Sequence, residues 1–99
     1  MLLERAELLA RDGAESELFA VMTDHGVPLL AAVPGVLSVR FGRGVENPDK
    51  FLLLVQWESL DAHTAFTQAP VFADFRALIM PVSRGGAMEH FEMDRETAA

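Results

Sequence analysis

Phe51-Leu52-Leu53-Leu54-Val55-Gln56-Trp57 reads as one strand of a hairpin, and its first five residues are apolar on both sides. A strand in a sheet with one wet face alternates instead. Phe51, Leu53, Val55 and Trp57 can turn towards helices, which leaves Leu52 and Leu54 on the opposite face. Leaving two leucines in water would forgo roughly 3–6 kcal/mol, at about 1.5–3 kcal/mol per side chain. A second copy of the sheet, brought by a twofold homodimer, would cover them. The plainer alternative is cover by loops or by the carboxyl-terminal tail.

Upstream of this strand, Val36 to Arg43 alternates, with Leu37, Val39 and Phe41 on one side and Ser38 and Arg40 on the other. The polar loop Gly44 to Lys50, containing Asn47-Pro48-Asp49, joins the two as a hairpin. Further back, Leu18, Val21, Met22, His25, Leu29, Ala32 and Val33 fall on one helical face, and Pro34-Gly35 ends the helix. Gly26 and Pro28 predict a kink within it, because proline lacks a donor and crowds the preceding turn. Leu2 to Ala10 suits a first strand, closed by Arg11-Asp12-Gly13. Downstream, Ser59 is a good N-cap for a helix from Leu60 to about Gln68. Pro70 opens another helix running to Met80, with Phe72, Phe75, Arg76 and Ile79 on one face. Pro81 to Gly86 reads as a loop and Ala87 to Met93 as a last strand. The order strand, helix, strand, strand, helix, strand is the ferredoxin-like α+β arrangement, an antiparallel sheet with helices on one face. One domain over residues 1–94 is expected, with residues 95–99 as a flexible tail.

The chain has 99 residues, 51% of them apolar and none of them cysteine. Chains of this size rarely hold two cores. The lack of cysteine excludes a disulfide framework and a thiol nucleophile. A net charge of −7 repels phosphate backbones and anionic lipid surfaces, so neither nucleic acid nor membrane is an expected partner. Charges within Met1 to Glu7 interrupt any signal-peptide core, and a cytoplasmic location is expected. No HxH, HExxH or carboxylate cluster stands at metal-ligand spacing, so no metal site is expected.

Gln56-Trp57-Glu58-Ser59, Ala62-His63, Phe66, Pro70-Val71-Phe72 and Phe75, after Val33-Pro34-Gly35-Val36-Leu37-Ser38-Val39 and before Glu89-His90-Phe91-Glu92, together resemble the antibiotic biosynthesis monooxygenase superfamily. The resemblance runs from Leu2 to about Asp94. It implies a dimeric α+β barrel whose subunits each hold a small pocket between sheet and helices. Local likeness is strongest to the cofactor-free, quinone-forming monooxygenases. By that likeness Trp57 matches a pocket tryptophan, Arg76 a family arginine that steadies phenolate or peroxide, and His63 stands where some members place a tyrosine. His63 or His25 would then accept the proton, with Leu53, Phe66, Phe72, Phe75 and His90 contacting a small aromatic or hydrophobic ligand. The family asparagine four positions before the tryptophan is replaced by Leu53. The haem-degrading branch fits less well, since its tryptophan falls at Phe66, its proximal histidine at Arg76 and its amino-terminal asparagine at about Arg5.

Each of these residues also has a plainer reading. Trp57 can be packing, Arg76 can pair with Asp74, Asp61 or Glu58, and His25 can be a hydrogen-bonded core or interface histidine. A monooxygenase acting on an aromatic or polyphenolic compound is the leading functional expectation. The alternative is a non-catalytic small-molecule-binding or stress-response module, followed by an isomerase of a sugar-like substrate.

Overall fold

A computed structural model describes the whole chain, Met1–Ala99. Four strands form one antiparallel sheet: β1 (Leu2–Ala10), β2 (Val36–Arg43), β3 (Lys50–Trp57) and β4 (Ser83–Glu92), in the order β2-β3-β1-β4. One face is covered by helices α1 (Glu15–Val21), α2 (Val27–Ala31), α3 (Leu60–Thr67) and α4 (Pro70–Ile79). This is the expected ferredoxin-like α+β fold. No helix is long and apolar enough to cross a membrane.

β3 is central and alternates in burial along its whole length. Phe51, Leu53, Val55 and Trp57 are buried against the helices. Beside them lie Glu4, Ala6 and Leu8 of β1, set by the register Glu4↔Val55 and Ala6↔Leu53. Leu18, Met22, Leu30, Phe66 and Phe75 close the core from the helical side. Ser59 caps α3 as its sequence suggests, its Oγ accepting the Ala62 N–H at 3.1 Å. On the opposite face of β3, Leu52 and Leu54 are only half-buried.

Three local readings change. The expected kink is a π-helical segment, Met22–Gly26, between α1 and α2. The wider turn absorbs the obstruction that Pro28 sets against the preceding turn. Gly26 leaves room for the packed Met22 side chain there, since a Cβ would sit 2.6 Å from Met22 Sδ and push it aside. A β-bulge shifts the register between Val36 and Ser38, which leaves Leu37 exposed and not beside Val39 and Phe41. The last strand starts at Ser83, within the stretch read as a loop. Its two glycines serve different needs: a Cβ on Gly86 would run into the Glu7 carbonyl oxygen, whereas Gly85 has open space but a φ of +126°. A shift between Leu9 and Ala10 lets Gly85 and Ser83 pair across it.

Candidate functional site

Alternation along β1 points Glu4, Ala6 and Leu8 inwards, and the β1–β4 register places His90 opposite Glu4 and Met88 opposite Ala6. This inner surface holds two features, a polar cluster around Glu4 and a cleft beyond Ala6.

In the cluster, Trp57 Nε1–H donates to Glu4 Oε1 at 3.0 Å, and His63 Nε2 of α3 stands 3.5 Å from the same oxygen. Trp57 is fully enclosed at 0% exposure, and Glu4 and His63 are buried as well. Aromatic edges wall the group: the Trp57 and His63 rings are 5.3 Å apart, Trp57 and Phe66 5.7 Å, and Phe66 and Phe72 5.3 Å. The His90 ring meets the His63 ring edge-on at 4.3 Å. Burial lowers the His63 pKa below the ordinary imidazole value, the Glu4 carboxylate pulls it back up, and His90 adds to the lowering. The neutral imidazole is therefore favoured. His90 Nε2 is buried without a hydrogen-bond partner.

The cleft has a volume of about 670 Å³ and lies between β1, β4 and α4. Ala6, Leu8, Ile79, Met80 and Met88 supply apolar wall, and Arg11, Arg76 and Arg84 bring positive charge, while the Glu7 carboxylate turns to the opposite face of the sheet and pairs with Arg5. Arg11 donates to the Met80 carbonyl at 3.2 Å, and Arg84 is held by Asp49 at 2.9 Å. Arg76 forms no ion pair with Asp74, Asp61 or Glu58, and its guanidinium lies 5.9 Å from the centre of the Phe72 ring. Glu4 and His90 are the next inward positions after Ala6 and Met88, about 7 Å along the strands. The cluster thus lies one side-chain row beyond the cleft.

The residues singled out from sequence divide accordingly. Trp57, His63 and His90 come together, with Phe66 and Phe72 around them. Arg76 lines the cleft, whereas Leu53 and Phe75 are buried in the core. His25 is exposed on the π-helical segment. Trp57 lines neither of the two larger cavities, the second of which, about 320 Å³, is bordered by Phe66 and Val71. Glu4 escaped the sequence reading, as did the grouping of Glu4, His63 and His90, whose potential ligand atoms all lie within 4.8 Å of one another. Spacing along the chain does not reveal this grouping, because the three residues come from β1, α3 and β4. A carboxylate at an inward position of a strand was the one available signal.

The sequence pattern of the antibiotic biosynthesis monooxygenase family matches residues 1–78. The chain belongs to this family. It is 30% identical over 80 residues to the uncharacterised protein YczJ of Bacillus subtilis, covering 80% of this chain and 83% of YczJ. It is also 30% identical over 91 residues to protein SchA of Streptomyces halstedii, but spans only 23% of that protein's length. Among solved structures, an antibiotic biosynthesis monooxygenase-family protein of Bordetella bronchiseptica superposes with a TM-score of 0.86 at 26% identity, over 95% of this chain and 97% of the other. Rv0793 of Mycobacterium tuberculosis shares the fold with a TM-score of 0.79 at 19% identity, over 98% of each chain.

Proposed function

We propose that this family member is a cofactor-independent monooxygenase that oxidises a small aromatic or polyphenolic compound with O2, working as a cytoplasmic homodimer. The arginine-lined cleft carries the reading. Three of the chain's eight basic residues gather there on a protein of net charge −7. Such a cleft suits an anionic ligand, and a phenolate is the electron-rich form of a phenol that passes electrons directly to oxygen. Arg76, free of carboxylate partners at the rim of the cleft, steadies the phenolate or the developing peroxide anion. His63, beside Glu4 and favoured as the neutral base, lies one side-chain row beyond the cleft and takes up the phenolic proton through a bridging water. Trp57 acts by holding Glu4, since its indole is enclosed and its N–H already committed. One oxygen atom ends in the quinone product and the other leaves as water. Half-buried Leu52 and Leu54, with Phe91 40% exposed on the same outward face, support the homodimer.

Oxygen uptake and quinone absorbance with dihydroxyanthracene-type substrates test the proposal. Turnover by the wild-type protein that drops in Arg76→Ala is expected; no uptake across a broad phenolic panel would overturn it. A second reading, ligand binding without turnover, is favoured by Leu53 in place of the asparagine of the quinone-forming enzymes it resembles, and by the enclosure of Trp57. Native mass spectrometry of protein from its own host separates the two, because a co-purifying aromatic ligand that persists in air indicates binding alone.

A further inference from the structure

We infer that Glu4, His63 and His90 bind one divalent transition-metal ion of the zinc class, through one carboxylate oxygen and one nitrogen from each imidazole. Three observations converge on this site. Glu4 is a buried carboxylate whose sole ion-pair candidate is the His63 ring, and a buried carboxylate is normally paired with a cation or bound to a metal. His90 Nε2 is buried with nothing to bond. The potential ligand atoms of all three residues lie within 4.8 Å of one another. A single cation satisfies each need, neutralising the carboxylate and engaging an unpaired ring nitrogen.

The supports are those a metal site requires. Glu4 and His90 stand opposite each other on paired strands, and α3 carries His63 from the other wall. The Trp57 N–H fixes the carboxylate from outside the ligand set at 3.0 Å, the kind of contact that holds a metal-binding carboxylate in orientation. Donors arranged tetrahedrally around zinc at about 2.1 Å lie about 3.4 Å apart, so closure needs movements of roughly an ångström. Ring rotation at His90, on the edge strand, can supply much of this. Two imidazoles and one carboxylate suit zinc, cobalt, nickel or ferrous iron, whereas magnesium and calcium prefer oxygen donors. A fourth position is left for water.

Metal binding stands independently of the oxygenase reading, and the two meet at one atom pair: an ion that takes the His63 lone pair removes the proton acceptor. The test uses the full chain stripped with chelator, then dialysed against Zn²⁺ alone. One equivalent per chain is expected. His90→Ala and Glu4→Gln should each weaken binding roughly tenfold or more, while His25→Ala, which removes the third histidine of the chain, should leave it within about twofold. Titration of the wild type with Co²⁺ should raise the intense visible bands of low-coordinate cobalt, absent in His90→Ala. Binding weaker than about 0.1 mM, equal loss in His25→Ala, or no intense cobalt bands would each overturn the inference. The wild-type spectrum decides even where a variant fails to fold. If phenol oxidation is observed, Zn²⁺ should suppress it and chelator restore it; if none is observed, the zinc stoichiometry still stands or falls alone.

Discussion

Glu4 places a carboxylate at an inward position of β1, where alanine and leucine occupy the next two inward sites, and Trp57 Nε1–H gives it a charge-assisted hydrogen bond. Trp57→Phe deletes that donor and leaves space in the core. A hydrogen bond to a charged group contributes about 1.5–3 kcal/mol, and the added cavity brings the expected loss to about 2–4 kcal/mol, read from the urea midpoint. Glu4→Gln keeps an acceptor for Trp57 while removing the buried charge, so its loss should be smaller than that of Trp57→Phe. If Trp57→Phe and Glu4→Ala, each of which removes the contact, fail to add in a double-mutant cycle, the contact is energetically real. Arg76 behaves differently because it is exposed at the rim of the cleft. Arg76→Ala should leave the melting temperature nearly unchanged and reduce phenol-dependent oxygen uptake by about 10²–10³-fold, the range seen when one donor to a developing anion is lost. A parallel fall in stability would mean that the arginine serves packing.

At the scale of elements, glycine positions separate the ordinary turns from close approaches. Gly26 ends the π-helical segment with Met22 Sδ 2.6 Å from the place of a Cβ, and Phe75 Cε1 3.6 Å away. Gly26→Ala should therefore cost about 1–3 kcal/mol by overpacking, softened somewhat by the flexible thioether. Gly42 in β2 has nothing within 4 Å of the same position, and Gly42→Ala should be neutral or stabilise by up to about 1 kcal/mol. Thermal or chemical unfolding of the pair checks both signs. β4 obeys the same rule as Gly26: Gly86 lies against the Glu7 backbone, so its lack of a side chain lets β1 and β4 pair.

At the scale of the whole molecule, the sheet has one face under helices and one without them. The uncovered face carries Leu3, Leu9, Leu52 and Leu54, half-buried, among Arg5, Glu7 and Gln56. A twofold partner would bury these leucines and is the expected state in solution. Sedimentation of the wild type should report about twice the 10.9 kDa chain mass. Leu54→Glu should shift it to the monomer, because a carboxylate there would be buried unpaired in the interface. A folded wild-type monomer at micromolar concentration would remove the dimer from the proposal.

The strand and helix order was legible in the chain because its signals are local: alternation over a few residues, the Ser59 cap, Pro70 at a helix start, Pro34-Gly35 at a helix end. The same local chemistry misled where the outcome depended on a neighbour. Leu37 alternates on paper but is displaced by a bulge against β3, and the glycines at 85 and 86 signal a turn until β1 lies beside them. Site chemistry was legible one residue at a time, so Trp57, Arg76, His63 and His90 could be singled out without knowing which would meet. Only the tertiary structure joined positions 4, 57, 63 and 90, drawn from four elements, and set Arg76 with Arg11 and Arg84 along a cleft instead of against the tryptophan. The physical reason is range: periodicity and capping act within a few residues, whereas the meeting of a carboxylate with two imidazoles is decided by strand register and by the helix packed across it.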